Sequence, residues 1–243
     1  MKEYFSYTAA MTLSPAKAVR PDSASATPAL NLPPSDSRER VSSAFKGLQD
    51  RICKKLEEVD GGGKFQQDAW DRPEGGGGRS RVMKEGNILE QGGVGFSEVW
   101  GDKLPPSILV KRPEAEGHQF YATGTSMVLH TRNPYVPTVH LNYRYFEAGP
   151  VWWVGGGSDL TPYYTTEEDV VHFHKTLKDT CDRHNPQYNP NFKRWCDEYF
   201  YLKHRDEPRG VGGIFFDYQT GQRGELYRGH NHDGPAALYS KEA

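Results

Sequence analysis

No apolar run in the sequence approaches the roughly 18 residues that a membrane-spanning helix needs, so no helical span is expected. A large excess of either charge is also missing. Thirty Lys and Arg stand against 32 Asp and Glu, giving a formal net charge of −2 without a basic block. That balance argues against nucleic acid or an anionic membrane as the main partner and leaves a small molecule as the expected ligand. Cysteine is scarce and odd in number: Cys53, Cys181 and Cys196 all fall in segments that read as helices. Reduced thiols in an intracellular protein are therefore expected, not a disulfide framework. Apolar residues make up only 35% of the 243-residue chain, beside 26 Gly and 17 Pro, so part of it is expected to be loop or disordered.

The first 34 residues fit that last expectation. They are rich in Ser, Ala and Pro and poor in acids, as plastid leaders are, but lack an Arg-rich amphipathic pattern. A disordered arm is the alternative, with a cytoplasmic protein behind it. Residues 35–243 read as one domain. After Ser35 or Asp36 as cap, Val41, Phe45, Leu48, Ile52, Leu56 and Val59 recur at helical spacing until Gly61–Gly63 stop the pattern. Short β-like runs follow, "SRVM", "NILE" and "FSEVW", then the longer "TSMVLH" and "TVHLNYRYF". Helices are expected over Thr166–Asp182 and Asn191–Lys203, and "VGGIFFD" reads as a strand buried at the sheet centre. Strands broken by single helices predict an α+β fold with a large, mostly antiparallel sheet flanked by helices. The run "GGGGRS" is no phosphate loop, because it lacks the Lys and the helix behind it; it reads as a turn or a close backbone approach.

Polar residues mark the chemistry. Strand side chains alternate faces, so His140, Asn142 and Arg144 share one face of "TVHLNYRYF" while Leu141, Tyr143 and Tyr145 share the other. In the preceding strand Ser126, Val128 and His130 share a face, which can bring His130 and His140 to a common surface. His174 lies in the apolar stripe of its helix, His172 points away, and His204 closes the next helix. Imidazoles that converge on one cleft bind a divalent metal or move protons near neutral pH. Arg144 offers a planar fork for a carboxylate, and Asp159, just past Gly155–Gly157, can accept from a ligand N–H. Trp152 and Trp153 either stack on a flat ring or fill core.

The stretches "GTSMVLHTRNPYVPTVHLNYRYFE", "WWVGGGSDLTPYY", "EEDVVHFHKTL", "FKRWCDEYFYLKHRDEPRGVGGIFFD" and "GGGGRSRVM" together resemble oxygen-dependent coproporphyrinogen III oxidase, most closely its cyanobacterial and plastid members. The resemblance implies oxidative decarboxylation of the ring A and B propionates of a tetrapyrrole in haem and chlorophyll synthesis. Dioxygen is then the co-substrate, no organic cofactor is used, and the protein is a homodimer. It implies that His140 is the proton donor, that Ser126, Asn142, Tyr143 and Arg144 bind substrate, and that Asp159 holds the pyrrole N–H groups. For bacterial members it also implies a divalent metal such as manganese at His130, His140, His174 and His204. The family is expected to continue past this chain with further substrate-binding and dimerisation segments. Competing readings are a four-histidine metalloenzyme for another carboxylated substrate and a catalytically silent porphyrinogen-binding chain.

Overall fold

The computed structural model describes residues 36–220; the proposed leader or arm of residues 1–34 lies outside the described residues. The apolar stripe of the first segment forms helix α1, Ser37–Asp60. Phe45, Ile52, Cys53 and Leu56 are buried on it. Gln49 sits in the middle of this stripe and is fully buried. It escapes the cost of an unpaired amide by donating to the Arg79 and Val94 carbonyls, at 2.8 Å each, and accepting from Arg79 Nε at 3.0 Å. The helix stops where Gly61 takes a left-handed φ of 72°. Asp60 then turns the chain into the sheet: it is buried and accepts backbone N–H bonds from Gly63, Asn87, Ile88 and Leu89. Burial raises its pKa, but the backbone donors outweigh burial and hold the carboxyl well below its usual range.

Seven strands follow: β1 Gln66–Asp71, β2 Gly76–Lys84, β3 Leu89–Gly101, β4 Phe120–Thr131, β5 Thr138–Ala148, β6 Val151–Thr161 and β7 Gly212–Gln219. They form one antiparallel sheet in sequential order. The expected α+β class is observed. The last two residues of "NILE", Leu89 and Glu90, and all of "FSEVW" prove to belong to one strand, β3, which runs through Gly92, Gly93 and Gly95. Gly155–Gly157 likewise lie inside β6. Glycine weakens a strand in isolation, but pairing on both sides fixes the backbone here.

Between β3 and β4 lies the short helix α2, Pro106–Lys111; between β6 and β7 lie α3, Glu167–Asp182, and α4, Tyr188–Tyr199. None of these helices is long and apolar enough to cross a membrane. Thr166 is the residue before α3, and its hydroxyl donates to Asp169 without accepting from a helix N–H. On one face of the sheet α1 and α3 cover Val94, Phe96, Met127, Leu129, Leu141, Tyr143 and Phe216, which with Phe173, Leu177 and Cys181 of α3 make the main core. A smaller core on the other face joins Ile108 and Ala115 to Phe146, Ala148, Val151 and Trp153.

β7 is an edge strand among the described residues, not a central one as the sequence suggests. Its apolar run is explained by α4, which packs along that edge and reaches both faces. Phe192 stacks on Phe216 at 4.9 Å, whereas Tyr199 stacks on Phe215, one residue earlier and on the opposite face, at 4.0 Å.

Candidate active site

The strand registers decide what meets on the face that α1 leaves open. In one row across the sheet lie Gly93, Val128, His140, Asp159 and Gly213; in the next, Gly95, Ser126, Asn142, Gly157 and Phe215. A third row carries Ser97, Gly124, Arg144 and Gly155. Polar side chains from β5 and β6 thus stand on a floor made largely of glycine and serine, which leaves room above the backbone for a ligand.

His140 and Asp159 are directly opposed, and Nδ1 of the imidazole lies 2.6 Å from Oδ1 of the carboxylate. Asp159 is 2% exposed. Its other oxygen, Oδ2, accepts two bonds from Arg209, from Nε at 3.1 Å and from Nη2 at 2.8 Å. Arg144 is engaged as well: Nη2 donates to Asp217 Oδ2 at 2.9 Å and Nη1 to Asn142 Oδ1 at 3.3 Å. Each buried carboxylate on this face therefore has its own guanidinium, which offsets the cost of taking the charge out of water.

A β-bulge aims Asp217. The β6–β7 register slips between Val154 and Gly156, so that Asp217 and Tyr218 together oppose Gly155. Tyr218 adopts a φ of 55°, and Asp217 leans over Gly155, where an added Cβ would stand 2.4 Å from its Oδ1. Only glycine fits beneath this ion pair. Tyr218 meanwhile packs its ring on Trp153, at 5.1 Å.

Several expected roles are corrected. Asp159 is not a lone carboxylate: both of its oxygens already have partners, His140 on Oδ1 and Arg209 on Oδ2. Arg144 is not an open fork, because Asp217 and Asn142 take one N–H each. Tyr143 points to the other face: it is buried, its hydroxyl lies 3.0 Å from Ser158 Oγ, and burial pushes its pKa up to about 12. Its side chain cannot touch a ligand beside His140. Trp153 fills the smaller core and Trp152 packs against the main one, so both are packing residues. Ser126 and Asn142 do share the open face with His140 and Arg144.

The four histidines do not converge. His130 is exposed, with Nδ1 3.3 Å from the Thr138 hydroxyl. His174 Nε2 lies 3.0 Å from the Val211 carbonyl, and burial, the main cause, lowers its pKa below the ordinary imidazole value. His204 stands exposed in a turn beyond α4 instead of closing it. His172, expected to point away, is half-buried with Nε2 enclosed. Among the described residues no group of three or more His, Cys, Asp or Glu is placed to hold a metal. The donor set does not fit the four-histidine manganese centre. Cys53, Cys181 and Cys196 are free and buried; burial, and for Cys196 also the Asp159 charge, pushes their pKa values up to about 11, 11 and 12. None is a ready nucleophile.

Sequence reasoning missed Arg209 and Asp217. Arg209 lies in the polar run "HRDEPRG", where nothing distinguishes it from its charged neighbours. The next residue did carry a signal: at Gly210, with φ 56°, an added Cβ would fall 2.3 Å from the Leu160 carbonyl, so the chain must pass hard against β6 there. Asp217 continues the period of two from Gly213 and Phe215.

A family model described as coproporphyrinogen III oxidase matches residues 40–233. A Synechococcus protein named oxygen-dependent coproporphyrinogen-III oxidase is 64% identical over 223 residues, covering 92% of this chain and 61% of its own length. A Prochlorococcus marinus protein of the same name is 66% identical over 213 residues, covering 88% of this chain and 62% of its own. The chain thus spans about 60% of the length of the curated relatives it matches.

Proposed function

The chain belongs to the coproporphyrinogen III oxidase family, and from that premise we propose that it takes part in the oxygen-dependent conversion of coproporphyrinogen III to protoporphyrinogen IX. In each of the two propionates, on rings A and B, the Cα–carboxylate bond breaks and carbon dioxide leaves. A hydride equivalent from the β-carbon passes to dioxygen, which takes up one proton and becomes hydrogen peroxide; the side chain becomes vinyl. The chemistry calls for an orienting cation, a group that moves a proton, and a surface that accepts a macrocycle.

The observation that carries this reading is the β5–β6 hairpin, which lines up His140, Asn142 and Arg144 opposite Asp159, Gly157 and Gly155. Arg144 keeps N–H groups beyond the two given to Asp217 and Asn142, and these suit a propionate carboxylate. Ser126 and Asn142 supply neutral contacts on the same face. His140 has Nδ1 tied to Asp159, so Nε2 is the nitrogen left to move a proton. Gly95, Gly124 and Gly157 allow the macrocycle to lie close to the sheet. A place in haem and chlorophyll synthesis and a plastid setting, with the cytoplasm as the alternative, belong to this proposal. A homodimer is the assembly this reading carries.

The test is turnover by the purified chain. Coproporphyrinogen III supplied in air should give protoporphyrinogen IX with dioxygen consumed and carbon dioxide released. A folded chain that neither turns the substrate over nor binds it would overturn the proposal.

A further inference from the structure

Asp159 and Arg209 are 50 residues apart in sequence and meet through two hydrogen bonds on a single carboxylate oxygen. Two N–H groups of one rigid, planar fork on Oδ2 keep the carboxylate from rotating without losing both bonds. Oδ1 is thereby held facing His140 Nδ1 at 2.6 Å. We propose that Arg209 is a positioning residue for His140: acting through Asp159, it fixes the orientation and the tautomer of the imidazole.

Arg209 is itself held on two sides. Its guanidinium lies over the Phe200 ring, 3.6 Å from the centroid. Phe200, at the end of α4, turns its ring edge-on to His140, with centroids 6.1 Å apart and an interplanar angle of 86°. Arginine, carboxylate, imidazole and phenyl ring thus close a circuit in which each side chain braces the next. Gly210 lets the backbone behind Arg209 press against β6, so the fork is presented from a fixed distance.

The chemical consequence follows from the donor rules. A carboxylate ion-paired with the Arg209 guanidinium has no proton to give, so the 2.6 Å contact requires that a neutral His140 carry its hydrogen on Nδ1, and the ring then presents a bare Nε2 to the open face. Without the fork, Asp159 is free to turn and the ring loses what selects that tautomer. Lysine keeps the charge but cannot place two N–H groups on one oxygen edge. The claim about the ring stands on geometry; its bearing on turnover rests on the proposed function.

The experiment uses the chain labelled with 15N at histidine, with two-bond proton–nitrogen spectra recorded well above the pH at which imidazole is protonated. His140→Gln identifies the His140 signals. The wild-type ring should show Nδ1 as the N–H nitrogen and Nε2 as the bare one. Arg209→Lys and Arg209→Ala should both show a mixture of tautomers. If Arg209→Ala does not fold, Arg209→Lys, which keeps the charge, carries the test. A folded Arg209 variant with the wild-type ring pattern overturns the proposal. With coproporphyrinogen III, the loss should fall on kcat, by roughly ten- to a hundredfold, with KM little changed, as expected when a reacting group is misplaced. Added guanidinium should restore part of the activity of Arg209→Ala. A loss confined to KM, or no rescue in a folded variant, would count against the positioning role. A wild-type chain without turnover would instead count against the proposed function and leave the ring spectra to decide this point.

Discussion

On the helix-packed face of β4 and β5, Met127, Leu141, Tyr143 and Tyr145 are buried; their chain neighbours Ser126, His140, Asn142 and Arg144 stay partly open on the other face. Polar groups occur on both sides but are held differently. On the covered face Tyr121 donates to Glu98, which pairs with Lys46, and Tyr145 donates to Glu147, which pairs with Arg38. Those chains tie α1 to the sheet and end at the protein's own groups. On the open face the ion pairs of Arg144 and Arg209 satisfy the buried carboxylates yet leave N–H groups and one imidazole nitrogen over. One face uses its polar atoms to hold the fold, and the other leaves a few of them without a partner among the described residues.

Removing an apolar group from the covered face should produce the largest change. Phe45→Ala should cost about 4 kcal/mol of stability by leaving a cavity under α1, read by denaturant unfolding, while the KM of the folded fraction stays the same. A large KM change would show that the faces are not independent. Asp159→Ala should come next, lowering turnover more than a hundredfold, about 3 kcal/mol, because the imidazole loses its partner. The same substitution should lower the melting temperature, because it leaves Arg209 without its carboxylate.

Asp60→Asn tests the covered side without touching the site. Losing charge-assisted bonds to backbone N–H groups should cost about 2 kcal/mol. The sign with pH is definite: the folded carboxyl sits below its ordinary value of 3.8, so the stabilisation is complete above that value and drains as pH falls below it. Acid unfolding of the wild type should show this loss, and Asp60→Asn should not. If the proposed function holds, Arg144→Lys should raise KM with a cost of about 2 kcal/mol and little loss of stability, since a point charge cannot serve Asp217, Asn142 and a ligand carboxylate together. The smallest effect is expected at Tyr143→Phe, about 1 kcal/mol of stability from the lost hydroxyl contact and no change in KM. A raised KM there would place Tyr143 against the substrate.

The period-two pattern of "TVHLNYRYF" was enough to put His140, Asn142 and Arg144 on one face, because neighbouring strands cannot alter which way a side chain leaves the backbone. Helices α1 and α3 were equally legible from their apolar stripes, since each buries one side; α4 starts and ends earlier than the expected Asn191–Lys203, and the short α2 was not foreseen. What could not be read was pairing at long range. Nothing in "HRDEPRG" tells which arginine finds Asp159, and nothing in "GGIFFD" tells that a bulge turns Asp217 toward Arg144. The histidines misled because spacing within a helix or strand shows which residues share a face but not whether separate elements face one another.

The strictly sequential order of the strands has a consequence for how the site comes into being. Each strand pairs with the one made just before it, so the sheet can grow in step with synthesis. His140 and Asp159 meet as soon as the β5–β6 hairpin closes, a fast and local event. Arg209 emerges much later, after α3 and α4. Until it arrives the carboxylate lacks the guanidinium that pairs with it in the finished fold. The docking of α4 and β7 is then the step that turns a half-built hairpin into a site with a fixed imidazole, and a slowed final folding phase is where damage to Arg209 would first be seen.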